Sequence, residues 1–198
     1  MFRIILFFFA LLIQFSSAAS DDIAQKDEIL STSSEYPGGD FTLYSSQGKF
    51  TLKQLRGKIA VIYFGYTKCP DVCPTSLAII AQALNELSED ELKSVQGVFV
   101  SVDPKRDSFQ VLDQYVSHFH PNLVGITGKE SSIAEIAKRY GVQYEEVTLE
   151  GSDFGYAVNH SSVTYLITPG GELRFIFPHQ TPAFVILEAI RYLLESKY

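Results

Sequence analysis

Apolar positions along this chain follow two periods, and the switches between them lay out its elements. Phe41-Thr42-Leu43-Tyr44 and Lys49-Phe50-Thr51-Leu52 alternate apolar with polar residues around Ser45-Ser46-Gln47-Gly48, which predicts a β-hairpin. Gly57-Lys58 then leads into the unbroken apolar run Ile59–Phe64, the signature of a strand covered on both faces. Ser76–Leu87 sets Leu77, Ile80, Ala81, Leu84 and Leu87 at helical spacing. Val95–Val102 reads as a second buried strand, and Phe109–Phe119 as a helix with Val111, Leu112, Tyr115, Val116 and Phe119 on one side. A short strand over Asn122–Thr127 and a helix over Ser131–Tyr140, stopped by Gly141, follow. After a strand-like stretch, Val142–Leu149, comes a loop bearing Gly151 and Gly155. Val163–Thr168 and Glu172–Phe177 form a hairpin across Pro169-Gly170-Gly171, and Pro182–Leu194 closes the chain as a helix.

The resulting order, β–β–β–α–β–α–β–α–β–β–β–α, predicts an α/β three-layer sandwich with a mixed central sheet and an N-terminal β-hairpin. A βαβ opening that ends in an antiparallel hairpin plus helix is the thioredoxin-like arrangement with insertions. The 198 residues suit one ordinary domain, and 46% hydrophobic with 13% aromatic content supplies a real core. A net charge of −7 argues against a nucleic-acid partner, which calls for a basic surface.

The N-terminus is a different material. Arg3 precedes the apolar run Ile4–Ile13, and Ser16-Ser17-Ala18-Ala19 follow. Residues 1–19 therefore read as an export signal cleaved after Ala18 or Ala19, with an uncleaved short membrane anchor from Phe2 to Ala19 as the competing reading. A span needs about 20 apolar residues, roughly twice this run. No cysteine lies nearby to carry a lipid. Residues 20–38 are polar and end in Pro37-Gly38, which predicts a flexible tether, leaving 39–198 as the folded domain.

Only two cysteines occur, both in Tyr63-Phe64-Gly65-Tyr66-Thr67-Lys68-Cys69-Pro70-Asp71-Val72-Cys73-Pro74. A bridge across so short a loop removes little unfolded-state entropy, so a structural staple explains them poorly. They sit where a buried strand runs out and a helix begins, where ligands gather in open α/β sheets and where helix N–H groups favour thiolate over thiol. Pro74 fits the first helical position. The spacing is Cys-x-x-x-Cys rather than the Cys-x-x-Cys of ordinary thiol–disulfide enzymes. Fully helical, it would set the Cβ atoms about 5–6 Å apart, against about 3.5–4.5 Å in a disulfide. Two thiolates sharing one ion at about 2.3 Å each fit that separation without distortion. Pro70 lets the loop bend, so the disulfide also stays accessible. Two sulfurs are too few for a cluster, and structural zinc calls for four closed ligands, which leaves copper.

Gly65-Tyr66-Thr67-Lys68-Cys69-Pro70-Asp71-Val72-Cys73-Pro74 closely resembles the signature of the Sco/SenC family of copper chaperones. Phe50-Thr51-Leu52 with Leu55-Arg56-Gly57-Lys58, Ser101-Val102-Asp103-Pro104-Lys105-Arg106-Asp107 and Asn159-His160-Ser161-Ser162 resemble further segments of it, so the likeness runs from Gly39 to the C-terminus. The resemblance implies a thioredoxin fold that binds Cu(I) or Cu(II) through Cys69, Cys73 and His160. It implies a role in maturing the binuclear copper centre of cytochrome c oxidase, with that enzyme's copper-bearing subunit and other copper carriers as partners. Together with the export signal it predicts an exported location, the bacterial periplasm or the outer face of the inner membrane, ahead of the mitochondrial inner membrane. The alternative function is a thiol–disulfide oxidoreductase that uses Cys69 and Cys73 as a redox pair to reduce the copper acceptor's cysteines.

The other candidates have plainer readings. His118 and His120 close a helix before Pro121, where a cation offsets the helix dipole, and His179 occupies a turn. His160 alone ends a glycine-bearing loop directly ahead of a core strand, and in a thioredoxin-like fold that loop faces the cysteines. Asp71 reads as turn chemistry, Asp103 as a capping or loop carboxylate, and Tyr63, Phe64 and Tyr66 as core and rim.

Overall fold

A computed structural model describes residues 36–148 and 155–196, all within the compact unit Ser31–Tyr198. The apolar run predicted as the central strand is β3, Ile59–Gly65, and every residue in it is buried. It pairs in parallel with β4, Val95–Ser101, which pairs in parallel with β5, Leu123–Ile126. On its other side β3 runs antiparallel to β8, Thr164–Ile167, which pairs antiparallel with β9, Leu173–Phe177. The order β5-β4-β3-β8-β9 is the mixed sheet expected from the sequence. The N-terminal hairpin, β1 (Thr42–Ser45) and β2 (Gly48–Thr51), joins the β5 edge through Tyr44 and Thr127, whose N–H groups each donate to the other's carbonyl.

Register assigns the layers, because side chains alternate faces along a strand. Tyr63 pairs with Phe99, their rings stacked at 6.4 Å, and Phe99 meets Tyr115 of α3, Phe109–Ser117. The Tyr63 hydroxyl donates at 3.5 Å to the Val72 carbonyl in α1, Val72–Asn85, so α1 covers the same face. Packed beside α1, helix α5, Ala183–Glu195, brings Tyr192 against Phe175. The next residue along β3 points the other way: Phe64 meets Tyr140 at 5.7 Å and Tyr165 at 5.7 Å, while Tyr140 also meets Phe41 beside the hairpin. Tyr140 ends α4, Glu130–Tyr140, which Gly141 stops in the left-handed conformation at φ 68°. Three helices on one face, and α4 with the hairpin on the other, give three layers.

Several elements differ from the reading of the sequence. Helix α1 begins at Val72, four residues before the apolar periodicity does, so Pro74 is its third residue rather than its first. The N–H missing there still has no intrahelical partner to lose. A short helix α2, Glu89–Lys93, was not anticipated, although Ser88 and Glu91 form a reciprocal capping box around its start. Leu52–Leu55 is one turn of 3-10 helix capped by Thr51. Residues expected to form a loop up to His160 instead supply β7, Tyr156–His160, paired antiparallel with β6, Tyr144–Thr148. Strand β6 falls within the strand-like stretch Val142–Leu149 read from the sequence, although four of its five residues are exposed, and β7 is the strand that reading missed.

The predicted export segment 1–19 lies outside the described residues, as does the predicted tether up to residue 35. Gly38, at the tether's end, is buried, donates to the Arg139 carbonyl at 3.0 Å and accepts from the Arg139 guanidinium. Among the described residues, no helix is long and apolar enough to cross a membrane.

Candidate metal centre

The end of β3 and the start of α1 place the two sulfurs. The N–H of Cys69 donates to the Tyr66 carbonyl at 3.3 Å, which turns the chain out of the sheet. Cys73 is the second residue of α1, and its N–H donates to Cys69 Sγ at 3.4 Å. The pair is therefore not helical throughout: Cys69 lies before the helix and is drawn to its polarised N-terminus. Gly65 makes room, because a Cβ there would lie 2.7 Å from Cys73 Sγ. Asp71 occupies the N-cap position, exposed and with no side-chain cap bond.

His160 closes the group from 87 residues away, its Nε2 3.1 Å from Cys73 Sγ. The ring's Nδ1–H donates to the Ser161 carbonyl at 3.2 Å, which turns the Nε2 edge of the imidazole toward the sulfurs. Tyr63 and Tyr66 hold the ring edge-on from two sides, at 6.2 and 5.8 Å between centroids. The sequence offered these tyrosines only as core and rim. They are buried as expected, and they also set the orientation of the histidine. Cys69 Sγ, Cys73 Sγ and a His160 ring nitrogen all lie within 4.8 Å of one another, a separation one ion can draw together.

The two thiols differ in charge. The Cys73 side chain, His160 and nearby backbone N–H groups stabilise the Cys69 thiolate and pull its pKa down to about 3, with burial opposing. Burial and the adjacent Cys69 charge push Cys73 far above the ordinary thiol range. The pair thus holds one negative charge, on Cys69. That residue is 8% exposed, while Cys73 is sealed at 0%. Both cysteines are free thiols.

The remaining histidines stand apart from the cluster. His118 caps the C-terminus of α3, where its Nδ1–H donates to the Gln114 carbonyl. His120 lies beyond the helix, 5% exposed, with Nδ1 accepting from the Asn122 N–H at 3.0 Å. Burial holds its pKa below the usual value, so it is a neutral core residue. His179 meets the Ser76 hydroxyl at 3.1 Å on the flank of α1. Asp103 is a loop carboxylate as read, but a buried one at 1% exposure, paired with Arg106 and accepting from the Tyr156 hydroxyl at 2.7 Å. No sequence signal joined Asp103 to a tyrosine 53 residues away.

Comparison with known proteins agrees with this geometry. The family model described as SCO1/SenC matches residues 31–195. The mitochondrial SCO1 homolog 1 of Arabidopsis thaliana is 44% identical over 140 residues, covering 70% of this chain and 41% of that protein. A SCO2-like protein of Rickettsia felis is 40% identical over 147 residues, covering 73% and 71%. The chain therefore spans less than half of the plant relative and most of the rickettsial one. Among solved structures, Arabidopsis thaliana ScoI with copper bound superposes with a TM-score of 0.73 at 37% identity, covering 79% of this chain and 97% of that one. Yeast Sco1 with copper bound gives 0.72 at 34%, covering 82% and 91%. With a family match across most of its length, relatives of this identity, and the thioredoxin-like sheet they share, this chain belongs to the SCO1/SenC family.

Proposed function

We propose that this protein is a copper metallochaperone: Cys69, Cys73 and His160 hold one copper ion as cargo and hand it on during maturation of the binuclear copper centre of cytochrome c oxidase. The convergence of two sulfurs and one imidazole nitrogen within 4.8 Å carries the reading. Thiolates favour Cu(I), and an added imidazole suits Cu(II), so this donor set accommodates both oxidation states. Relatives crystallised with copper bound support the metal's identity. The acceptor in this reading is the oxidase's copper-bearing subunit, with other copper carriers upstream. The N-terminal segment delivers the domain to the bacterial periplasm or the outer face of the inner membrane.

Titrating the reduced protein with copper tests the ligand set. The wild type should take up one copper per chain and show sulfur-to-copper charge transfer as Cu(II). His160→Ala should weaken Cu(II) binding by at least about tenfold, 1.4 kcal/mol, while thiol–disulfide exchange persists. Copper retained by the Cys69→Ser/Cys73→Ser double variant would refute the assignment.

The depressed pKa of Cys69 favours a second reading, a thiol–disulfide oxidoreductase that reduces the acceptor's cysteines. In that reaction the Cys69 thiolate attacks the acceptor disulfide, and Cys73 resolves the mixed disulfide as its proton leaves. The same histidine variant separates the two: unchanged copper affinity with lost reductase activity would favour the oxidoreductase.

A further inference from the structure

The segment between β4 and α3 touches both limbs of the metal site. Toward the cysteines, the wholly buried Asp107 accepts from the Thr67 N–H at 3.0 Å and from its hydroxyl at 2.6 Å, two residues before Cys69. The Ser101 hydroxyl donates to the same carboxylate at 2.6 Å and ties it to the end of β4. Toward the histidine, the Arg106 guanidinium donates to Asp103 and, at 2.8 Å, to the Tyr156 carbonyl, and it stacks 3.7 Å from the Tyr156 ring. The Tyr156 hydroxyl donates back to Asp103. Lys105 adds an ion pair with Glu146 on β6, the partner strand of the hairpin. The segment is itself folded tightly, the N–H groups of Arg106 and Asp107 both donating to the Asp103 carbonyl.

Tyr156 and His160 are the two ends of β7, four residues apart, and an even separation along a strand puts both side chains on one face. Val158 between them is buried at 4%, so that face turns toward the body of the domain. Holding Tyr156 therefore fixes the roll of the strand, and the roll fixes where the imidazole points. Arg106 also approaches Tyr66, whose ring packs on His160, at 5.6 Å.

We propose that residues 103–107 form a brace that sets the distance between the histidine and the cysteines. Asp103, Arg106 and Tyr156 are then positioning residues that govern the preference of the site for Cu(II) over Cu(I). The inference rests on the copper reading above. Two thiolates satisfy Cu(I), whereas Cu(II) depends on nitrogen donors, and a ligand site tolerates only about 0.5 Å of misplacement. Loosening the strand therefore weakens Cu(II) binding selectively.

The test compares Cu(I) and Cu(II) affinities of the reduced full-length protein with those of Tyr156→Phe, Asp103→Asn and His160→Ala, and of the doubles combining each brace variant with His160→Ala. Tyr156→Phe keeps the ring and loses one hydrogen bond, so it reads the brace even if Asp103→Asn fails to fold. The ratio of Cu(II) to Cu(I) affinity should fall about tenfold in Asp103→Asn and about threefold in Tyr156→Phe. Both effects should vanish in the His160→Ala background. In the metal-free protein, amide exchange at Val158–His160 should quicken in both brace variants. A ratio that stays constant, Cu(I) and Cu(II) affinities that fall together, or an effect undiminished without His160 would overturn the brace. His160→Ala by itself reads the ligand assignment: unchanged Cu(II) affinity there removes both.

Discussion

Gly65→Ala tests the link between sheet and site most directly. Gly65 ends β3, and a Cβ on it would lie 2.7 Å from Cys73 Sγ, 3.0 Å from Phe99 Cε2 and 3.1 Å from Tyr63 Cε1. Comfortable carbon contacts are about 3.5–4.0 Å, so the sulfur must retreat by about 1 Å. The rings cannot yield instead, since Tyr63 and Phe99 are both fully buried and stacked on each other. Overpacking of this kind costs about 1–3 kcal/mol. A displacement near 1 Å at a reacting group loses about 100-fold, so Cu(I) affinity should fall by one to two orders of magnitude. Competition with a chromophoric Cu(I) chelator measures the affinity, and thermal melts of the metal-free chain measure the strain. Gly97→Ala is the control: its Cβ would meet Leu123 at 2.6 Å, a similar clash in the next strand, four pairs along the register from Gly65. It should cost stability and leave copper binding near wild type. Wild-type copper affinity in Gly65→Ala, or equal losses in the two variants, would refute the reasoning.

Four further outcomes follow from the described contacts. In the reduced, metal-free protein the Cys69 thiolate should persist down to about pH 3, so alkylation in mild acid should label Cys69 and spare the sealed Cys73. Because the folded pKa of Cys69 lies below its unfolded value, its stabilisation is complete above about pH 8.5 and is lost as pH falls toward the folded value. Denaturation across that window should show a slope that Cys69→Ser lacks, and an identical slope in the variant would contradict the assignment of charge. Tyr140→Phe removes the hydroxyl that donates to the Gly39 carbonyl at 2.9 Å and should lower unfolding free energy by about 1 kcal/mol with copper binding intact; a denaturant midpoint indistinguishable from wild type would count against it. Arg191→Ala breaks a solvent-exposed pair with Glu91 at 3.1 Å and should shift the denaturant midpoint only slightly, and less still in salt; a large, salt-independent shift in chemical melts would contradict this.

What the sequence revealed depended on how locally each signal was encoded. The run Ile59–Phe64 declared the central strand because burial on both faces leaves no polar residue in it. Gly141 marked the end of its helix because its left-handed backbone suits glycine. The cysteine loop was legible since both sulfurs and the helix start lie within five residues. His160 was singled out by family likeness and by its place ahead of a core strand, not by the hairpin that carries it. Tyr144–Thr148 was legible as part of the strand-like stretch Val142–Leu149, whereas Tyr156–His160, its partner strand, follows the glycine-bearing segment and read as loop. The capping pair Ser88 and Glu91 is local in sequence, but the helix it starts spans five residues, too few to show an apolar period. Asp103, Arg106 and Tyr156 form a contact only in three dimensions, and single residues far apart carry no pattern.

The 87-residue gap between Cys73 and His160 makes the complete donor set a property of the finished tertiary structure. A nascent or partly unfolded polypeptide retains at most the dithiol loop, so a ligand that needs all three atoms stabilises only the native ensemble, by an amount that grows with the logarithm of its free concentration. With these three residues as the copper ligands proposed above, full Cu(II) capture arises only once the C-terminal half has docked, and the histidine acts as a checkpoint on folding.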